Sequence, residues 1–262
     1  MNTGWSVVTG AGGGLGRALA LSLGRRGGRV LVSDVSLEAA EETAQQVQGA
    51  REVRAARCDV TRLEDVEALA EAAAGTVDLL VNNAGVSSAG RVGELSLADW
   101  RWTLEVDLFG VVHGCHVFVP RLRAQRHGHV LNVASVAGIV NAPDMAAYNV
   151  AKAGVISLSE TLHAELVGSG VGVTVLCPSF FQTNIVSSGR FVNAGAKEFA
   201  QGRVRSGPTA GVVADAALAA VDTGTLHVLP MADARWAWRL KRAAPGVSTR
   251  GVGLLGRWLR KW

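Results

Sequence analysis

The chain of 262 residues contains one tyrosine, three cysteines, three methionines and six prolines. The cysteines, Cys58, Cys115 and Cys177, are far apart and form no CxxC pair. That spacing argues against a disulfide framework or a thiolate metal centre, and reduced thiols in a cytoplasmic protein are expected. The prolines are scattered, with no Pro/Ser-rich linker, low-complexity tract or internal repeat, so neither a string of small domains nor a solenoid is expected. No run of about twenty uninterrupted apolar residues occurs, and none capable of spanning a bilayer is expected. The N-terminus carries no charged segment followed by an apolar one, so no secretory leader is expected.

Negative charge is nearly missing from one end. From Met231 onward Asp233 is the sole acid, against Arg235, Arg239, Lys241, Arg242, Arg250, Arg257, Arg260 and Lys261. Eight cations and one acid give this tail +7, so the other 230 residues carry −3 of the whole-chain +4. The basic isoelectric point therefore belongs to the tail, and no nucleic-acid partner is expected.

What the chain has in quantity is apolar residues, 48%, and glycine, 32 residues. Short β-branched runs at 5–9, 29–33, 53–57, 77–81, 129–134, 172–177 and 226–229 read as strands. Segments rich in Ala, Leu and Glu at 15–25, 37–48, 63–73, 97–126, 147–167 and 210–221 read as helices. Alternation of this kind demands right-handed crossovers and predicts one doubly wound parallel sheet of about seven strands with helices on both faces. The α/β domain is expected over 1–230, with 231–262 as a basic amphipathic tail. The segment 187–207 is small, polar and long for a connection, which predicts a mobile substrate loop.

In such a sheet the ligand lies at the carboxyl ends of the strands. The first strand ends in TGAGGGLG, Thr9 to Gly16, which runs into a helix. Glycines there let backbone approach a phosphate at a helix N-terminus. Asp34 ends the second strand, eighteen residues past Gly16, where a carboxylate can accept both hydroxyls of an adenosine ribose. A dinucleotide site is expected. The third strand ends in Cys58-Asp59-Val60, the fourth in Asn82-Asn83-Ala84-Gly85, the fifth in Ser135 and the sixth in Pro178.

Tyr148 and Lys152 are four apart on a predicted helix and face the same way. Tyr148 is the chain's only tyrosine, and its helix follows the strand that ends in Ser135. A free phenol ionises near 10 and is a poor base at neutral pH. A nearby ammonium and a positively charged nicotinamide both favour the phenolate, and lowering the pKa by about three units takes roughly 4 kcal/mol. Ser135 is placed to donate a hydrogen bond to a substrate oxygen beside Tyr148.

The chain resembles the short-chain dehydrogenase/reductase family up to about Pro230. The resemblance rests on Thr9-Gly10-xxx-Gly14-x-Gly16, Asp59, Asn82-Asn83-Ala84-Gly85, Ser135, Tyr148-xxx-Lys152 and Pro178-Ser-Phe-Phe-Gln-Thr183. It implies a Rossmann-type fold and hydride transfer between nicotinamide and a carbinol carbon, with a secondary alcohol or ketone as substrate. It implies Tyr148 as general acid/base, Ser135 as the group that polarises the substrate oxygen, and Lys152 as a ligand of the nicotinamide ribose that depresses the Tyr148 pKa. Gly10, Gly14, Leu15 and Gly16 would form the phosphate turn. Asp59 and Val60 would lie against adenine, Asn83, Ala84 and Gly85 along the adenosine side, and Pro178, Phe181 and Thr183 near the carboxamide.

Asp107 occupies a position where the family usually has asparagine, and Ser179 one where it usually has glycine. Asp107 matches asparagine in shape, lacks the amide donor, and carries a charge able to pair with Lys152. The backbone carbonyl there holds a relay water in the family, so the relay is expected to survive.

Asp34 predicts NAD rather than NADP. A 2′-phosphate at 4 Å and an effective dielectric of 20 meets a repulsion of about 4 kcal/mol per pair of unit charges. Gly13 and Val35 supply no compensating base, and Arg17 is expected to point away along its helix. Phe180, Phe181 and Phe191 either line an apolar substrate pocket or belong to the core. His113 and His116 lack further ligands at metal-site spacing, and no metal is expected. In the tail, Trp236, Leu240 and Ala244, then Leu254, Leu255, Trp258, Leu259 and Trp262, form apolar stripes opposite basic residues. Two readings stand open: contact with an anionic membrane surface, or packing over the pocket or a neighbouring subunit. A homodimer or homotetramer is expected. The alternative to an enzyme is an NAD-binding sensor or scaffold, for which Asp107 is the single support.

Overall fold

The computed structural model describes residues 3–259. Its strands are β1 (Trp5–Val8), β2 (Arg29–Asp34), β3 (Glu52–Arg57), β4 (Val77–Asn82), β5 (Ser88–Ala89), β6 (Gly128–Val133), β7 (Val171–Leu176), β8 (Arg190–Phe191) and β9 (His227–Val228). Its helices are α1 (Gly14–Arg25), α2 (Leu37–Gln46), α3 (Leu63–Ala72), α4 (Leu97–Leu104), α5 (Gly110–Gln125), α6 (Ala137–Val140), α7 (Ala146–Glu165), α8 (Ala194–Arg205), α9 (Ala210–Asp222), α10 (Ala232–Ala243) and α11 (Pro245–Leu259). Seven strands form one sheet in the order β3-β2-β1-β4-β6-β7-β9, every pairing parallel.

The central strands are aliphatic on both faces, as a sheet covered on both sides requires. All four residues of β1 and all six of β4 are buried. One face packs Leu69, Phe118, Val155 and Leu162 from α3, α5 and α7. The other packs Leu15, Leu19, Ala217 and Leu218 from α1 and α9. From β1 the chain winds outward to β2 and β3, then returns to lay β4 on the other side of β1. That reversal opens a crevice above the ends of β1 and β4, where a ligand can enter between diverging loops.

The structure differs from the sequence expectation in two elements. The long helix expected over 97–126 is broken by a π-helical turn, Glu105–Phe109, which separates α4 from α5. The extra residue in that turn carries Asp107 into the interior, a common use of π-bulges near functional sites. The expected loop 187–207 is partly ordered. Its β8 pairs with β5, and α8 is capped by the Asn193 side chain, which accepts from the Gly195 N–H at 2.8 Å. Only Val204 of α8 is buried, so its sequence lacks the apolar periodicity that marks a helix.

The tail forms α10 and α11, divided at Pro245, the first residue of α11, where a missing N–H leaves no bond unmade. Both helices pack on α6, and the Gly256 backbone lies against Pro143. The inner face of the tail thus covers the segment between Ser135 and Tyr148, one of the two readings left open above. Arg260, Lys261 and Trp262, with the side chains of Trp258 and Leu259, lie outside the described residues. No helix among the described residues is long and apolar enough to cross a membrane.

Candidate active site

On α7, Tyr148 and Lys152 lie one turn apart, and Val155 and Ser159 continue the same stripe onto the sheet. The Ser159 hydroxyl accepts from the Asn132 side chain of β6 at 3.0 Å, which fixes the helix against that strand. Lys152 is buried, and its Nζ donates to the Val133 carbonyl at the end of β6, 3.3 Å away. The same Nζ lies 5.6 Å from the centre of the Tyr148 ring. Ser135 follows β6. Its hydroxyl accepts from the Ala137 N–H at 3.1 Å and donates to the Pro178 carbonyl at 3.5 Å. The structure therefore brings Ser135, Tyr148 and Lys152 together at the carboxyl edge of the sheet.

Asp107 completes this group from the π-helical turn. Its Oδ1 accepts from the Val86 N–H at 2.7 Å and lies 3.8 Å from Lys152 Nζ. The carboxyl group is fully buried, and among the described residues its Oδ2 has no hydrogen-bond partner. Burial raises the Asp107 pKa to about 6, against the pull of the Lys152 ammonium and the Val86 N–H. The Tyr148 phenol is pushed above its ordinary value, first by burial and then by the Asp107 carboxylate, while the hydrogen bond from Ser135 pulls it down. The expected depression by Lys152 is thus not a property of the chain alone. A carboxylate 3.8 Å from the ammonium offsets its field at the phenol.

The glycine loop closes the other side of the crevice. Gly10 has φ +63°, and a Cβ there would lie 2.6 Å from Ala84 Cα, so the loop presses directly on the end of β4. Gly14 has φ +53°, and a Cβ there would meet Thr183 Oγ1 at 3.1 Å across the crevice. Any side chain at either position would fill the space and strain the backbone. Leu15 points into the core and Gly16 is buried, so both contribute backbone alone to the turn. The Asn83 side chain donates to the carbonyls of Thr9 and Gly10 at 2.9 and 3.0 Å, and so acts as a strut of the loop. The hydroxyl of Thr9, the first residue of the glycine motif, accepts from the Asn83 and Ala84 N–H groups at 3.1 and 3.2 Å, a role the sequence does not reveal.

Asp34 accepts from the Gly12 N–H at 2.9 Å and from the Ser36 N–H at 3.1 Å. Each carboxylate oxygen retains a second lone pair able to accept a hydrogen bond. Arg17 does not point away along α1. Its guanidinium turns back to bond the Gly12 carbonyl and Thr43 Oγ1, with Glu42 at 3.5 Å, because the glycine loop and α2 present these acceptors beside it. Asp59 accepts from the Thr61 N–H and hydroxyl at the end of β3. The Val60 side chain is buried, and its carbonyl bonds the His113 ring at 2.8 Å. Gly85 sits over the ion pair, with a Cβ position 3.0 Å from Asp107 Oδ1 and 3.4 Å from Lys152 Nζ.

The three phenylalanines do not line a common pocket. Phe181 packs on the core beside α1 and α9, Phe180 borders a small cavity under Arg203, and Phe191 lies in β8 beneath Lys197. A larger cavity, about 340 Å³, is lined by Arg91, Val92, Asn141, Ala142, Pro143 and Asp144, with Ala146 and Asn149 of α7. Arg91 donates to Asp144 at 2.9 Å. Asn141 and Asp144 have φ +56° and +64°, a conformation these two residue types tolerate. That tolerance was the sequence signal available for the cavity wall.

The crevice suits a nicotinamide dinucleotide. Glycine backbone and the N-terminus of α1 stand ready for phosphate, a carboxylate stands at the end of β2, and the ionisable group stands beyond Gly85. Residues 5–191 match the family model described as short chain dehydrogenase. A short-chain dehydrogenase/reductase from Burkholderia phymatum, solved in complex with NAD, is 35% identical. The match covers 94% of this chain and 95% of that one, with a TM-score of 0.88. D-threitol dehydrogenase of Mycolicibacterium smegmatis is 37% identical over 69% of this chain and 71% of its own. EphD of Mycobacterium tuberculosis is 38% identical over 73% of this chain, and the match spans 33% of that longer protein. The sheet order, the serine–tyrosine–lysine group and these matches together establish that the chain belongs to the short-chain dehydrogenase/reductase family of oxidoreductases.

Proposed function

We propose that the chain is an NAD-dependent dehydrogenase/reductase acting on a secondary alcohol or ketone. One observation carries this reading: the chain's only phenol stands between the Ser135 hydroxyl and the Lys152 ammonium, at the edge of a crevice shaped by Gly10 and Gly14. When bound, the nicotinamide ring supplies the hydride acceptor or donor and, in its oxidised form, a positive charge.

The chain's own residues bind and move protons. Gly10, Gly14, Leu15 and Gly16 hold the pyrophosphate, and Asp34 accepts the adenosine ribose hydroxyls. Asp59 and Val60 flank the adenine. Asn83, Ala84 and Gly85 form the floor, and Pro178, Phe181 and Thr183 border the nicotinamide end. Lys152 holds the second ribose. Ser135 donates to the substrate oxygen. In oxidation, the Tyr148 phenolate takes the carbinol proton while the carbon-bound hydrogen leaves as hydride. In reduction, the phenol returns that proton to the oxygen. Asp107 fixes Lys152 and sets the charge that the phenol feels.

An apolar substrate, lipid-, steroid- or aromatic-like, is supported by Val92, Ala142, Pro143 and Ala146 in the cavity beside the start of α7. Exposed Phe109 and Val150 support burial in a homodimer or homotetramer. Three buried free cysteines support a cytoplasmic setting. The test is turnover of NAD with a panel of secondary alcohols. Tyr148→Phe, shown folded by circular dichroism, loses about 10²–10⁴-fold in kcat. Unchanged turnover in that variant removes Tyr148 from the chemistry.

A further inference from the structure

We infer that the outer face of the α10–α11 hairpin docks on a lipid surface rich in anionic headgroups. The inner face is occupied: Ala234 and Ser248 are buried, and both helices rest on α6. The outer face exposes large apolar side chains. Trp236 is 69% exposed, Leu254 65%, Leu255 55% and Leu240 49%. Trp236 and Leu240 are one turn apart on α10, and Val247 and Leu254 are two turns apart on α11. One cation stacks on the exposed indole, Arg239 over Trp236 at 5.7 Å, while Trp238, with Arg242 over it at 5.0 Å, turns to the His227 ring on the other side of α10. An exposed indole, a leucine and a cation thus share one surface of α10, the arrangement of an interfacial helix.

Charge selects the occupant. Residues 234–259 hold Arg235, Arg239, Lys241, Arg242, Arg250 and Arg257 and no acid. A second copy related by a two-fold axis would bring this face onto itself, cation against cation. An anionic bilayer offers the opposite sign together with an apolar layer for the indole and the leucines. The remainder of the chain, net −3, is repelled from the same surface, so the hairpin is the side that turns toward it. Docked this way, the hairpin holds the wall at Pro143 and Asn141 close to the lipid.

The experiment is co-sedimentation of the full chain with vesicles, which needs no turnover and so stands apart from the catalytic reading. The probes are phosphatidylcholine vesicles and phosphatidylcholine/phosphatidylglycerol vesicles at about 3:1. The chain is expected to sediment with the anionic vesicles, weakly with the neutral ones, and less at high salt. Arg239→Glu/Arg242→Glu and Trp236→Ser/Leu240→Ser each lower anionic-vesicle partitioning by at least about ten-fold. Both leave unchanged any dehydrogenase rate on a soluble alcohol. Three outcomes overturn the inference: no preference for anionic vesicles, unchanged partitioning in both variants, or tighter binding to duplex DNA than to vesicles. Light scattering that finds a dimer abolished by Trp236→Ser/Leu240→Ser, without vesicle binding, also overturns it by making a second copy the occupant.

Discussion

Asp107 is a fully buried carboxyl group with one hydrogen bond and an ammonium at 3.8 Å. Its pKa in the folded chain, about 6, lies above the value near 3.9 of an unfolded aspartate. A carboxyl raised in the native state binds its proton more tightly there, so it favours folding only while protonated. The loss builds from about pH 4 and is complete above about pH 6, where roughly 3 kcal/mol of stability is missing. Asp107→Asn keeps an oxygen for the Val86 N–H and removes the charge. It is expected to raise Tm at neutral pH, with the gap to the parent chain closing as the pH falls to about 4, in thermal melts across that range. A gap that persists at low pH points to packing rather than ionisation. The identity of Asp107 was legible in the sequence. Its burial, its orphan oxygen and its effect on Tyr148 were not, because they depend on a π-helical turn that no periodicity signals.

Among elements, those with a repeating apolar face declared themselves. The strands from β1 to β7 in the main sheet and the helices α1, α2, α3, α7 and α9 lie within a few residues of their sequence limits. The glycine loop and Asp34 were legible for a different reason: a phosphate site needs small residues between a strand and a helix, and few alternatives satisfy that order. The helix α8 and the pairing of β5 with β8 were hidden, since short exposed elements draw their order from distant partners. Arg17 was misjudged because its acceptors, Gly12, Glu42 and Thr43, come from a loop and a second helix. The end of β2 carries its own prediction. Asp34→Ser is expected to raise the kcat/KM ratio of NADP to NAD by at least about 10², since one close like-charge pair is worth about 4 kcal/mol at an effective dielectric of 20. An unchanged ratio assigns cofactor choice to other groups, Arg17 first among them.

At the scale of the whole molecule, one sheet reversal places every strand end used by the proposed chemistry on a single crevice. The glycines come from β1, Asp34 from β2, Asn83 to Gly85 from β4, and Ser135 from β6. Alternation of strands and helices made that topology readable, because right-handed crossovers leave few ways to wind it. What alternation leaves open is the electrostatic state of the crevice. Burial and Asp107 hold the phenol above its ordinary value, so the chain alone keeps Tyr148 protonated. In the proposed mechanism, the positive charge of oxidised nicotinamide beside the phenol is what favours proton abstraction near neutral pH. Since the chain has a single tyrosine, tyrosinate absorbance in the near ultraviolet reports Tyr148 alone. That titration, run with and without saturating NAD, is the most direct measurement. The expected result is a phenol that resists ionisation well above 10 in the free chain and shifts downward when NAD binds. A phenol that ionises near 10 in both conditions, with no response to NAD, would contradict the placement of Tyr148 as the acid/base of this crevice.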